Sequence, residues 1–167
     1  MADCDYEHAL KKARGVYYTP AYVVDYIVQH TVARMSTSTI RLWAQVMPTV
    51  KIEDRVIWVM VSIAARKAAD VTGKGSGDLK DGGLSSLLVQ ADEAYISCVM
   101  HEKDGEKVEL SFRAKPGFDV SMVALAIGGG GHKLASGATV SGSLAEVEAR
   151  VIPMLKEAAK AGAPAAA

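Results

Sequence analysis

The sequence predicts an α/β domain built on a mixed β-sheet flanked by helices, together with an N-terminal helical appendage. Three observations carry this. VIWVMVS (56–62) is a nearly continuous apolar run rich in β-branched residues, the pattern of a strand buried on both faces. AYISCVMHE (94–102) and KVELSFRAK (107–115) flank Lys103-Asp104-Gly105, with Asp104-Gly105 as a hairpin turn. Helical patterns at 39–47, 63–70, 84–91, 120–127 and from Ser141 or Ser143 to about Ala159 are interleaved with these strands.

The elements follow in order. Thr19 caps a helix with Pro20 at its first position, and AYVVDYIVQHTVARM sets Val23, Ile27, His30 and Arg34 near one face. MSTST (35–39) is a polar joint. The division expected is therefore an appendage over 1–36, a domain over 37–160 and a disordered tail over 161–167. Within the domain, TIRLWAQVM (39–47) runs until Pro48, and residues 71–83 form a loop with five glycines. Asp119 caps the helix at 120–127, and GATV (137–140) supplies the last strand. No internal repeat is present.

Composition excludes several function classes. In 167 residues, 19 Lys and Arg balance 19 Asp and Glu, so nucleic acid cannot be coated through bulk charge and any contact must be local. At 50% hydrophobic and 23% charged the chain has the balance of a folded domain. Aromatics amount to 6%, and five of the six tyrosines fall within residues 6–26, which leaves few stacking platforms in the domain. Cys4 and Cys98 share no CxxC spacing and suit neither a disulfide framework nor a zinc site. The opening MADCDYEH is acidic without an apolar run, and no stretch reaches 18 consecutive apolar residues. The expectation is a cytoplasmic protein with no membrane contact.

The most informative segment is GGGGHKLASG (128–137). Four consecutive glycines lose more backbone entropy than any other tetrad, so their use implies positive φ or close approach of a ligand to the backbone. Their N–H groups can converge on an anion, and His132 and Lys133 add side-chain donors. Upstream, Arg113 and Lys115 stand two apart, a spacing that puts both on one face of a strand. Arginine grips phosphate bidentately, and each charge-assisted contact contributes about 1.5–3 kcal/mol. A mononucleotide or an oligonucleotide end is a ligand of matching size.

SFRAKPGFDVSMVALAIGGGGHKLASGATV resembles the DHHA1 module of DHH-family phosphoesterases, especially the bacterial oligoribonuclease (nano-RNase) and 3′-phosphoadenosine 5′-phosphate phosphatase group. The likeness runs from about Thr39 through VIWVMVS and GLSSLLVQADEAYISCVM to the last helix. It implies that Gly129, Gly130, Gly131, His132 and Arg113 hold a nucleotide's phosphate and base. Two positions depart from the family: Ala114 stands where serine often follows the strand arginine, and Ser136 where a second alanine is usual. The first removes one hydrogen bond to phosphate or ribose. The family's two manganese ions belong to a separate N-terminal DHH domain, and this chain contains no Asp-His-His run. Its histidines, His8, His30, His101 and His132, lack ligand spacing. The resemblance therefore implies a substrate-recognition domain that binds without a cofactor of its own and does not cut alone. Its expected partners are short RNA or a nucleotide phosphate, a DHH catalytic domain supplied in trans, and a second copy in a homodimer. A second, shorter likeness covers ARGVYYTPAYVVDYIV (13–28), which resembles the start of adenine-specific DNA methyltransferases. The Asn-Pro-Pro-Tyr tetrad of those enzymes is absent.

Three alternatives stay open at this point. A complete manganese-dependent phosphoesterase acting on short oligonucleotides or adenosine bisphosphate would need a metal site drawn from Asp78, Asp81, Asp92 and Glu93. A tRNA-binding module, similar to the domain that ends alanyl-tRNA synthetases, would need no metal, although His132-Lys133 departs from it. A self-association module would use only apolar surface. Elsewhere the ordinary reading prevails: Trp43, Trp58 and Cys98 are core residues, and His30 and His101 are structural or face solvent. GKGSGD (73–78) lacks the spacing of a phosphate loop.

Overall fold

The computed structural model describes residues 35–71, 73 and 82–162. The chain divides into two compact units, Met1–Ser36 and Thr37–Ala167. The expected helix from Pro20, the methyltransferase-like segment and the C-terminal tail beyond Gly162 lie outside the described residues.

The second unit opens with α1 (Thr37–Val46) and a short 3-10 turn (Met47–Thr49) that contains Pro48. β1 (Lys51–Glu53) and β2 (Val56–Val61) follow, then α2 (Ile63–Ala69) and α3 (Leu84–Leu88). β3 (Ile96–Lys103) and β4 (Lys107–Ala114) form the expected hairpin, with Gly105 at φ 74 and Glu106 at φ 53 in its turn. α4 (Ser121–Ala126), β5 (Gly130–His132), β6 (Ala135–Ser141) and α5 (Leu144–Ala161) complete the domain. The six strands make one sheet in the order β1-β2-β3-β4-β6-β5, with β2 and β3 parallel and every other pair antiparallel. This is the mixed, helix-flanked sheet that the alternation of patterns predicts.

Each face of the sheet carries its own core. On one face Val56, Trp58, Cys98, Met100, Leu110 and Phe112 pack under α4 and α5, against Val123, Val151 and Leu155. On the other, Ile57, Val59, Val61 and Val99 pack under α1, α2 and α3, against Leu42, Leu84 and Leu88. β2 contributes to both, which is why its sequence is apolar at every position rather than alternating. Burying the Cys98 thiol pushes its pKa far up, with the charge of Glu148 adding to the effect, so it acts as a small hydrophobe. Among the described residues no helix is long and apolar enough to cross a membrane.

Four details differ from the sequence reading. β1 is a three-residue strand, Lys51-Ile52-Glu53, exposed throughout and without alternation, so its pattern gives no signal. It turns into β2 through Asp54 and Arg55, both at positive φ (49° and 67°), the two-residue hairpin geometry that normally calls for glycine or asparagine. The helix expected over 84–91 ends at Leu88 and passes into turns. Asp119 does not occupy the N-cap position of α4, which falls on Val120; instead its Oδ1 accepts hydrogen bonds from Ser121 N (2.9 Å) and Oγ (2.6 Å). The last helix does start as expected, with Ser143 and Glu146 forming a reciprocal capping box.

Candidate functional site

Sheet register locates the residues that the sequence singles out. Residues paired across neighbouring strands point to the same face. Arg113 pairs with Ala135 across β4 and β6, and His132 pairs with the same Ala135 across β5 and β6. Arg113, Ala135 and His132 thus form one row. The next row on the same face is Ser111, Gly137 and Gly130. Both rows belong to the face covered by α1, α2 and α3, yet the core under those helices draws strand residues only from β2 and β3. Among the described residues the β4-β6-β5 end of this face is therefore left uncovered. Arg113 is half-buried, Gly130 and Gly137 are half-buried and His132 is exposed. The result is a shallow shelf with a glycine floor, a guanidinium on one side and an imidazole on the other.

The glycine run is not an open loop. Gly128 N–H donates to Leu125 O (3.1 Å) and Gly129 N–H to Ala124 O (2.8 Å), which fastens the run to the end of α4. Gly130 and Gly131 then enter β5, so the amides do not converge into a nest of the expected kind. Three of the four glycines have a reason within the fold. Gly128 adopts φ 83. A Cβ on Gly129 would lie 2.2 Å from Gly137 O, and one on Gly131 would lie 2.6 Å from Ser136 Cα, at φ 137. Gly130 is different: it has no positive φ, and a Cβ there would meet nothing within 4 Å. Among the described residues nothing fills the space above it.

The other expected residues sit elsewhere. Lys115 follows the end of β4 and its Nζ donates to Ala91 O (2.8 Å), which turns it toward the segment after α3. Lys133 occupies the two-residue turn between β5 and β6, and its backbone carbonyl accepts from Val120 N (2.9 Å). Its charge, behind the hydrogen bonds from Ser121, helps hold the Asp119 carboxyl below its usual range. Arg113 Nη1 donates to Phe112 O (2.9 Å), which fixes the guanidinium near the strand. Ser136, on the opposite face, uses its hydroxyl to bond Val120 O (2.9 Å) and so anchors the approach to α4.

Two further residues contribute to the shelf: Ser111, which no motif announces, and Gly137, the last residue of GGGGHKLASG. Ser111 Oγ lies 3.0 Å from Ser85 Oγ at the border with α3. Gly137 allows β6 and β4 to approach, since a Cβ would lie 2.5 Å from Leu110 O. Only the alternation of SFR on a strand, which puts Ser111 on the face of Arg113, hints at the former. Among the described residues no group of three or more His, Cys, Asp or Glu is placed to hold a metal ion. Of the four acids considered for such a site, Asp92 and Glu93 are exposed in a turn, and Asp78 and Asp81 lie outside the described residues. The described residues thus do not fit the family's pair of manganese ions.

Comparison with known proteins agrees with this architecture. Residues 82–161, from α3 through α5, match the model of the DHHA1 domain. This stretch is a DHHA1 domain. The chain is similar to an exopolyphosphatase-related protein from Bacteroides fragilis, at 23% identity and a TM-score of 0.66, over 81% of this chain and 40% of that one. It is also similar to a pGpG-specific phosphodiesterase from Vibrio cholerae, at 13% identity and a TM-score of 0.51, over 83% of this chain and 46% of that one. The chain thus spans less than half the length of either. No curated protein matches the sequence. The DHHA1 domain here is a DHH-family-associated domain related in fold to phosphoesterases.

Proposed function

We propose that the DHHA1 domain is the substrate-recognition part of a DHH-type phosphoesterase and that its open shelf binds the 5′-phosphorylated end of a nucleotide or short RNA. The observation that carries this is the placement of Arg113 and His132 in one row, on a part of the sheet that no described residue covers, beside Gly130, where an added Cβ would meet nothing within 4 Å among the described residues. Arg113 supplies a permanent positive charge with paired donors that match phosphate oxygens. His132 adds a ring N–H from β5, on the other side of β6. Gly130 lets the sugar-phosphate lie against the backbone without meeting a side chain.

In this reading the domain binds and orients, and hydrolysis belongs to a DHH catalytic unit that acts on the same bound substrate. Manganese supplies the hydrolytic chemistry there and is not needed for binding here. A calorimetric titration of the full chain with a 5′-phosphorylated diribonucleotide, in chelator and then in manganese, tests the reading. Affinity in the micromolar to low millimolar range (about 4–8 kcal/mol), equal in both buffers and lost in Arg113→Ala, supports it. Absence of binding at millimolar ligand removes it.

A further inference from the structure

Next to the charged row lies a hydroxyl that the phosphate reading leaves unused. Ser111 is one row along from Arg113 on the same face, in register with Gly137 and, through it, with Gly130. Two residues along a strand span about 6.6 Å. A nucleoside 5′-phosphate covers a similar distance from its phosphorus to its sugar hydroxyls, so a phosphate seated on Arg113 and His132 brings the sugar over Ser111 and the glycines.

The serine's partner decides what it offers. Ser111 Oγ and Ser85 Oγ are 3.0 Å apart, and Ser85 is 2% exposed while Ser111 is half-buried. The buried hydroxyl has the least access to water, so the arrangement that uses both hydrogens has Ser85 donating to Ser111. Ser97 Oγ in turn donates to Ser85 O (2.6 Å), which holds the N-terminal turn of α3 and with it the Ser85 hydroxyl. Ser111 then presents its own O–H to the open shelf, with its oxygen fixed from behind.

We infer that Ser111 is a specificity-determining residue that hydrogen-bonds a sugar hydroxyl and makes the shelf prefer ribonucleotides over deoxyribonucleotides. This inference rests on the proposed phosphate site. The test measures binding of adenosine 5′-monophosphate and of its 2′-deoxy and 3′-deoxy analogues to the full chain and to Ser111→Ala, with thermal melting as a control on folding. The wild type binds at least one analogue roughly three- to tenfold more weakly than the parent, the range for one neutral hydrogen bond. Ser111→Ala brings that ratio to near one while binding the affected analogue as the wild type does.

Equal binding of all three nucleotides by the wild type overturns the inference and needs no variant. So does an equal loss for all three in Ser111→Ala, which would place the serine on the phosphate or in the scaffold. If wild type binds none of them, the phosphate site itself falls and the sugar contact falls with it. If binding depends on His132 but ignores the sugar, only the role of Ser111 is lost.

Discussion

Arg113 and His132 lie 19 positions apart in the chain, yet both stand opposite Ala135, one on each side of β6. That shared partner turns two isolated basic residues into a pair facing the same space. Ala135 has a side chain too small to stand between them.

The pair makes the first prediction. Arg113→Ala is expected to weaken binding of a 5′-phosphorylated diribonucleotide by roughly 10- to 100-fold, the loss of a charge-assisted contact. His132→Ala weakens it less, because one ring N–H is lost rather than a guanidinium with paired donors. His132 is exposed and the fold does not depend on it, so the melting temperature of His132→Ala stays at the wild-type value. Calorimetry and thermal melting on the same samples check all three outcomes.

Neighbouring glycines give opposite results. Gly129→Ala puts a methyl 2.2 Å from Gly137 O and 2.5 Å from Ala138 Cβ, where neither backbone nor core can yield, and it lowers the melting temperature sharply. Gly130→Ala meets nothing within 4 Å, so it folds at least as stably as wild type, helped by about 0.5–1 kcal/mol of reduced backbone entropy. In the proposed site it nonetheless impairs ligand binding. A stable Gly130→Ala protein with full affinity would mean that the space above this residue is not used.

Stability should fall on the acid side for a reason that can be assigned. Burial pushes the Glu148 carboxyl up, but hydrogen bonds from Lys51 Nζ (2.7 Å) and Trp58 Nε1 (2.6 Å) outweigh it and leave the group below its usual range. A carboxyl lowered in the folded state stabilises fully above its unfolded value, near about 4.3, and loses that contribution as pH falls through the folded value. Asp119 acts in the same direction through Ser121. Melting temperature is thus expected to decline below about pH 4. Glu148→Gln lowers it at neutral pH and makes the acid decline shallower, which a series of melts across pH reads directly.

Pro153 lies inside α5, and it is exposed. It lacks the N–H that would bond back one turn, and its ring crowds the carbonyl there. Pro153→Ala should raise stability by about 1–3 kcal/mol, with part of the gain offset by a freer unfolded chain. Urea titration gives the difference.

What was legible in the sequence follows from where side chains meet their surroundings. β2 is identifiable because it is covered on both faces, and the β3-β4 hairpin because Asp104-Gly105 marks its turn. β5 is not, because its glycines carry no side chain to alternate, and glycine is depleted in strands. β1 is too short and too exposed to leave a pattern. The site divides the same way: the glycine-histidine motif stands out in sequence, whereas the row that joins His132 to Arg113 exists only once β6 lies between them. Ser111 enters the shelf through register alone, and Lys115, two residues from Arg113, leaves it because its Nζ bonds the Ala91 carbonyl.

The most direct test of the phosphate-binding shelf is an NMR titration of the full chain with a 5′-phosphorylated diribonucleotide. The account predicts that the amides of Gly130, His132 and Gly137 and the side-chain resonances of Arg113 shift first and saturate together, while Val151 and Leu155, on the opposite face, stay in place. Shifts centred on the α4-α5 face, or no shift at millimolar ligand, would contradict it.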